Sequence, residues 1–402
     1  MSAHRIPAPA YTSFSEGKTE MIQEIKGEYK TARNSGVELV KVLAIFLIVC
    51  NHVVQTLSGF STAVPYHDYV IPLGTATTDI SRLLLTMLRY SGVLGNTMFF
   101  VCSAWYLLES KKVSKEKIMS MLLDIWVISV LIFLAVFCLR RRDLPVSSII
   151  ASFLPTTFNN NWYLTCYLLF YPIHPALNKL IYAMSQKSLL RTSLVLAVLY
   201  IGINYIQTSF FTSELILWVT IYFVVAYMKL YTPQLADNIK VNAAALLIGL
   251  LGNCGIIAVT NALGLRYAAF ANELFHWKDN CSPFLILAAI AMLNLARQLR
   301  FSCKAINAVS KLSLLIYVIH ENLLLRTYYR PIMWHYIYNT YGYDHILLWV
   351  FIMVVLVFLF GFVMSVLYSL SIQKLTKRLS KRLLNLFAGV CGKIEKALLI
   401  LS

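Results

Sequence analysis

Charge is what this sequence has least of. Asp, Glu, Lys and Arg together make up 13% of 402 residues, and 18 acidic side chains stand against 35 basic ones. With 59% of the residues hydrophobic, so little charge excludes an ordinary soluble enzyme and leaves a polytopic membrane protein. Other absences narrow the class further. Residues 1–30 are polar and hold neither a short apolar core nor a small-residue cleavage site, so no secretory signal peptide is expected. The first apolar helix is therefore expected to insert directly. The eight cysteines include no C-x-x-C spacing, most fall in apolar runs and only Cys281 lies clearly outside them. Neither a disulfide framework nor a structural metal is expected from that pattern. No Gly-rich phosphate loop, internal repeat or low-complexity linker is visible.

What is present is a series of apolar runs. They fall near 36–57, 92–110, 118–138, 162–183, 192–210, 212–230, 241–261, 283–297, 307–325 and 346–371, which predicts an all-α protein with about ten transmembrane helices. The net charge of +17 does not point to nucleic acid, because the basic residues are sorted by side. Under the ten-span reading, 26 of the 35 Lys and Arg fall on one face, so both termini are expected in the cytoplasm. The chain then divides into a cytoplasmic segment 1–33, a membrane domain 34–372 and a basic tail 373–402 in the inner (plasma) membrane. In that tail Leu375, Leu379, Leu383 and Leu386 recur at helical spacing among lysines and arginines, as in a helix lying on an anionic leaflet. Arg140, Arg141 and Arg142 fall outside, either as solvated interface residues or as contacts for an anionic glycan. On the same outer side, Ser58–Ser91 predicts a short surface helix. The loop from Gly264 to Ser282, with Arg266, Glu273, His276, Lys278 and Asp279, and a Tyr- and Trp-rich loop from Arg326 to Asp344 complete that face.

One stretch organises the rest. Asn34 to Leu57 (NSGVELVKVLAIFLIVCNHVVQTL) places Lys41 and His52 eleven positions apart in an otherwise apolar span, which is close to three helical turns. Both therefore lie on one helix face, about 16 Å apart, with His52 near mid-membrane. An ionisable group at that depth is costly and marks either a functional site or a hydrogen bond to a neighbouring helix. Glu38, three residues before Lys41, is placed to pair with it, and Asn51 adds a second polar side chain beside His52.

A basic residue, ten positions and a histidine, preceded by an acidic residue, resembles the opening of the integral-membrane acyltransferase family 3, O-acyltransferases of bacterial envelope glycans. Three further stretches are similar to that family in the same order. Thr97–Leu108 (TMFFVCSAWYLL) resembles its FFxxSG segment, and Asn159–Asn178 its W-F/Y-L-x-x-Y-x-x-x-Y-x-x-x-P stretch. Val309–Asn322 (VSKLSLLIYVIHEN) resembles its S-x-x-I-Y-x-x-H stretch. There are departures: Ala104 stands where the family usually has glycine, and Lys111, Lys112, Lys115 and Lys117 replace its usual arginines.

The resemblance implies transfer of an acyl group from cytoplasmic acetyl-coenzyme A, a co-substrate and not a resident cofactor, to a hydroxyl of an envelope polysaccharide or its lipid-linked precursor. Such a transfer needs the hydroxyl proton removed, a task suited to histidine. His52 is the candidate base, or a relay that carries the acyl group covalently. Glu38 is too far along the helix to orient the ring, so the orienting group must come from another helix. His320 is the second catalytic candidate, open between that role and that of a helix-end interface residue, and Asn51 beside His52 is the third. Arg33 and Lys41, with Glu38 beside them and the lysines at 111–117 nearby, are the candidate donor-binding residues. Asp124 is placed to pair with Lys41, in a structural or a catalytic role, and His174 is expected to satisfy backbone freed by Pro172 and Pro175. An exporter or flippase of polysaccharide and a purely interacting membrane subunit are the rival readings.

Overall fold

The structure, a computed structural model, describes residues 34–57, 71–139, 144–158, 160–207, 213–275 and 279–401. Arg33, Arg140 to Arg142, His276 and Lys278 lie outside the described residues. Among those described there are helices and turns and no strand. The helices are α1 (Ser35–Leu57), α2 (Ile80–Leu88), α3 (Ser91–Leu107), α4 (Lys115–Leu139), α5 (Val146–Phe153) and α6 (Trp162–Ala183). They continue with α7 (Gln186–Ile206, with a π-helical stretch Val198–Ile203), α8 (Glu214–Tyr231), α9 (Ile239–Gly264) and α10 (Pro283–Gln298). Last come α11 (Lys304–His320), α12 (Arg330–Tyr341), α13 (Ile346–Ser371) and α14 (Gln373–Leu401).

Among the described residues each apolar run read from the sequence is mainly helical, yet six helices there are long and apolar enough to cross a membrane. They are α1, α4, α7, α8, α9 and α13; a seventh is counted if α11 and Leu325–Tyr341, bent by 62°, form one broken span. Length is part of the reason. α3 has 17 residues and α10 has 16, which at about 1.5 Å per residue fall short of a hydrocarbon core of about 30 Å.

α1 sits at the centre, packed on α3, α10, α11 and α13. Glycine permits the closest approach: a Cβ on Gly95 of α3 would lie 2.5 Å from the Ala44 carbonyl of α1, so only glycine lets the two backbones meet there. α1 and α11 run parallel, since Ser35 bonds Asn307, Glu38 meets Ser310 and His52 meets His320 as both chains ascend. In α6, Pro175 has no N–H for the Tyr171 carbonyl, and the His174 Nδ1 takes its place, the structural role expected of that histidine.

Two expectations require correction. The segment after Arg326 is not a loop: Leu325–Tyr329 forms a π-helical turn that runs into α12. Pro331 at the start of α12 needs no N–H partner, and Arg330 and Trp334, one turn apart, both point at α1. Asp124 does not pair with Lys41. Its carboxylate accepts from Tyr368 Oη at 2.8 Å, Thr376 Oγ1 at 2.9 Å and Gln373 Nε2 at 3.4 Å, which ties α4 to α13 and the start of α14. That contact also orients the tail helix. Thr376 and Ser380 are buried beneath it, while Leu375, Leu379 and Leu386 of the apolar stripe are exposed.

The expected surface helix before α3 is α2, capped by Asp79, whose carboxylate accepts the Ser81 and Arg82 amides. The Tyr343 hydroxyl, with those amides, holds Asp79 below the usual carboxylate range and joins the start of α2 to the turn before α13. Cys50, Cys102, Cys138, Cys166, Cys254, Cys281 and Cys303 form no disulfide.

Candidate active site

His52 and His320 meet in the middle of the bundle. α1 carries one and the last residue of α11 the other, and both are buried. His320 Nδ1 lies 2.7 Å from the Ile316 carbonyl, so this nitrogen carries the proton and Nε2 is left as an acceptor. His52 Nδ1 is 3.0 Å from that Nε2 and donates to it. By this chain of assignments the remaining lone pair of His52 is on Nε2, the atom free to take a proton from a substrate.

Glu321 supplies the charge that sequence reasoning required from another helix. It follows directly on α11, where the helix stops and Asn322 Oδ1 accepts the Leu324 amide. That stop swings the carboxylate inward. Glu321 Oε2 lies 2.9 Å from His52 Nδ1 yet makes no hydrogen bond in the proper direction, so it acts on the ring as a neighbouring charge. Its other oxygen is held by Arg326. Arg330 completes the cluster. Its guanidinium donates to the His52 carbonyl at 3.1 Å and to the His320 carbonyl, and stands 3.9 Å from Glu321. Trp334 Nε1 donates to Thr56 Oγ1 at 3.1 Å, fastening α12 to the end of α1. A fork that bridges both histidine carbonyls fixes the two helix ends against each other.

His52, His320 and Glu321 each offer one atom that could ligate a metal, all within 4.8 Å of one another. The chemistry of the surroundings opposes it. Two guanidiniums already neutralise the one carboxylate, and the imidazoles are turned to each other. We assign no metal here.

The other predicted residues are distributed as follows. Glu38 is buried, pairs with Lys41 at 3.2 Å and accepts from Ser310. Lys41 faces a cavity of about 360 Å³, lined also by Ser103, Lys117, Tyr163, Tyr167, Ser313 and Tyr317. Of the lysines at 111–117, only Lys117 reaches this cavity, where it lies over the Tyr171 ring and hydrogen-bonds Tyr167 Oη at 3.1 Å. The cavity ends at Ile48 and Tyr317, one turn from His52 and from His320. A second cavity of about 370 Å³ touches His320 and Arg330 and is otherwise lined by Leu325, Tyr329, Met333, Leu356, Val357 and Phe360. Asn51 is not gathered in: its side chain packs on Gly92 of α3. Glu321 and Arg330 were not assigned from sequence. The i, i+4 spacing of Arg330 and Trp334 was the available signal for the second, and adjacency to His320 the only one for the first.

One family profile, described as an acyltransferase domain, matches residues 34–374. No curated protein and no solved structure matches the chain.

Proposed function

The chain belongs to acyltransferase family 3, and from that premise we propose that it moves an acetyl group from cytoplasmic acetyl-coenzyme A to a hydroxyl of an envelope polysaccharide or its lipid-linked precursor. The single observation that carries this reading is the relation of Lys41, the cavity and the histidine pair. A cation opens a cavity of about 360 Å³ whose lining includes Ile48 and Tyr317, one turn from the buried pair His52 and His320. Lys41 and Lys117 meet the phosphate-bearing donor from the cytoplasmic side, and the arm reaches inward. The acceptor comes from the opposite side, and the apolar lining of the second cavity suits the hydrocarbon of a lipid-linked precursor.

In the reaction, His52 Nε2 takes the proton of the acceptor hydroxyl as its oxygen bonds the acyl carbon. The same proton then goes to the departing thiolate. His320 holds the ring by Nδ1, and the charge of Glu321 stabilises the imidazolium that forms. Arg330 keeps the two helix ends in register for this geometry.

The protein is a multi-pass membrane protein, and in this reading it lies in the inner membrane with both termini cytoplasmic. Cysteine labels at Ser2 and Ser402 then react only from the cytoplasmic side and a label at Ser282 only from outside. The main test is twofold. Calorimetric titration of the detergent-solubilised protein with acetyl-coenzyme A is expected to show binding, and mass spectrometry is expected to show loss of O-acetyl groups from envelope glycans in cells without the protein. No binding by folded protein would reject the donor and favour an exporter.

A further inference from the structure

α11 carries a polar stripe along the face that meets α1: Ser310, Ser313, Tyr317 and His320 recur at i, i+3, i+7 and i+10, the repeat of one helix face. The two ends of the stripe are spent. Ser310 bonds Glu38, and His320 bonds His52. The two middle members are not: Ser313 Oγ and Tyr317 Oη are buried, and neither has an acceptor for its hydrogen. Both side chains line the cavity that begins at Lys41. A buried hydroxyl without an acceptor costs about 1–3 kcal/mol, so two on one face of one cavity are a poor choice for packing alone. Phenylalanine and alanine would fill the same space without that cost.

Position says what they are for. The Tyr317 ring stands between the cavity and the histidines, with centroids 6.4 Å from His52 and 5.8 Å from His320. Tyr163 packs beside it at 6.0 Å. A neutral donor placed where a carbonyl oxygen gains charge stabilises the transition state more than the ground state.

We propose that Ser313 and Tyr317 form the subsite for the thioester carbonyl of the acyl donor, their hydroxyls donating to the oxygen that becomes an oxyanion. The inference rests on the acyl-transfer reading above. The acceptor oxygen bonds the carbonyl carbon, its proton passes to His52, and the C=O electron pair moves onto the oxygen held by Tyr317 and Ser313. On collapse the C–S bond breaks and the thiolate leaves with that proton. Nothing else is consumed.

The test uses full-length protein in detergent with acetyl-coenzyme A carrying a ¹³C label at the carbonyl. Tyr317→Phe keeps the ring and its packing, and Ser313→Ala removes one hydroxyl. In the unmodified protein the labelled carbonyl stretch of bound donor is expected at lower wavenumber than in solution. Each variant is expected to return it toward the solution value and to lower the transfer rate about 100-fold, the loss for one oxyanion donor. Donor affinity should change less than 3-fold. Normal binding and an unchanged carbonyl stretch in Tyr317→Phe and Ser313→Ala overturn this assignment alone. Absence of donor binding by folded, unmodified protein overturns the acyl-thioester reading and this subsite with it.

Discussion

Two buried polar clusters in this bundle are built on opposite principles. At Asp124 both carboxylate oxygens are engaged: Oδ1 accepts two hydroxyl bonds and Oδ2 one amide bond, joining α4, α13 and α14. Around His52, atoms are left over. Tyr317 Oη and Ser313 Oγ are buried with no acceptor for their hydrogens, and both residues line the cavity that begins at Lys41. Both clusters cost desolvation, but the first recovers it within the fold. In the second, the unspent atoms face space a substrate can enter. Burial of an ionisable group therefore does not separate structure from function in a membrane bundle; the count of atoms still free to bond does.

The largest effect is expected at His52. His52→Gln retains a polar side chain of similar reach, and the protein should still fold and insert, while glycan O-acetylation falls by 10²- to 10⁴-fold. Mass spectrometry of envelope glycans, normalised to folded protein, measures it. Retention of more than about one per cent of activity would remove His52 as the base and reduce this cluster to a second Asp124.

Lys41 stands next. Lys41→Ala removes one charge-assisted contact to the donor, worth roughly 1.5–3 kcal/mol, so affinity for acetyl-coenzyme A should drop on the order of 10- to 100-fold. Lys41→Arg should be tolerated, and His52→Ala should bind donor normally. Since Lys41 also pairs with Glu38, a purely structural lysine would instead lower thermal stability and leave affinity unaltered. Titration of the folded fraction separates the two.

How much of this was legible in the sequence depends on what each residue's neighbours do. The helical runs were plain because long apolar stretches leave few alternatives, and Lys41 and His52 were plain because eleven residues return to one face. The number of crossings was not, since Ser91–Leu107 and Pro283–Gln298 are helices too short to span unaided. Glu321 was hidden by the end of α11, because nothing before the fold says which way the chain turns at Asn322. Arg330 was hidden by its setting in a run of tyrosines that reads as interface loop. Asp124 misled for the reverse reason. A lone carboxylate in an apolar run suggests the nearest cation, yet three polar groups on Tyr368, Gln373 and Thr376, about 250 residues later, satisfy it.

The smallest effect on chemistry is expected at Asp124, and it is the sharpest check on the contrast. Asparagine at this position keeps one carbonyl oxygen for Tyr368 and Thr376 and can turn its amide toward the Gln373 side chain, so Asp124→Asn should cost under about 1 kcal/mol. Leucine keeps none of these bonds. Asp124→Leu strands the Tyr368 hydroxyl and the Thr376 side chain, each about 1–3 kcal/mol to leave buried and unpaired, and it loosens the start of α14 from α4. The expected pattern is a melting temperature in detergent that falls slightly for asparagine and clearly for leucine, with acetyl transfer per folded molecule unchanged in both. The distinction between the clusters fails if Asp124→Asn, at nearly full stability, loses transfer activity by 10-fold or more. Asp124 would then be acting on the reaction through α4 and Lys117, and a fully bonded carboxylate could no longer be set aside as scaffold.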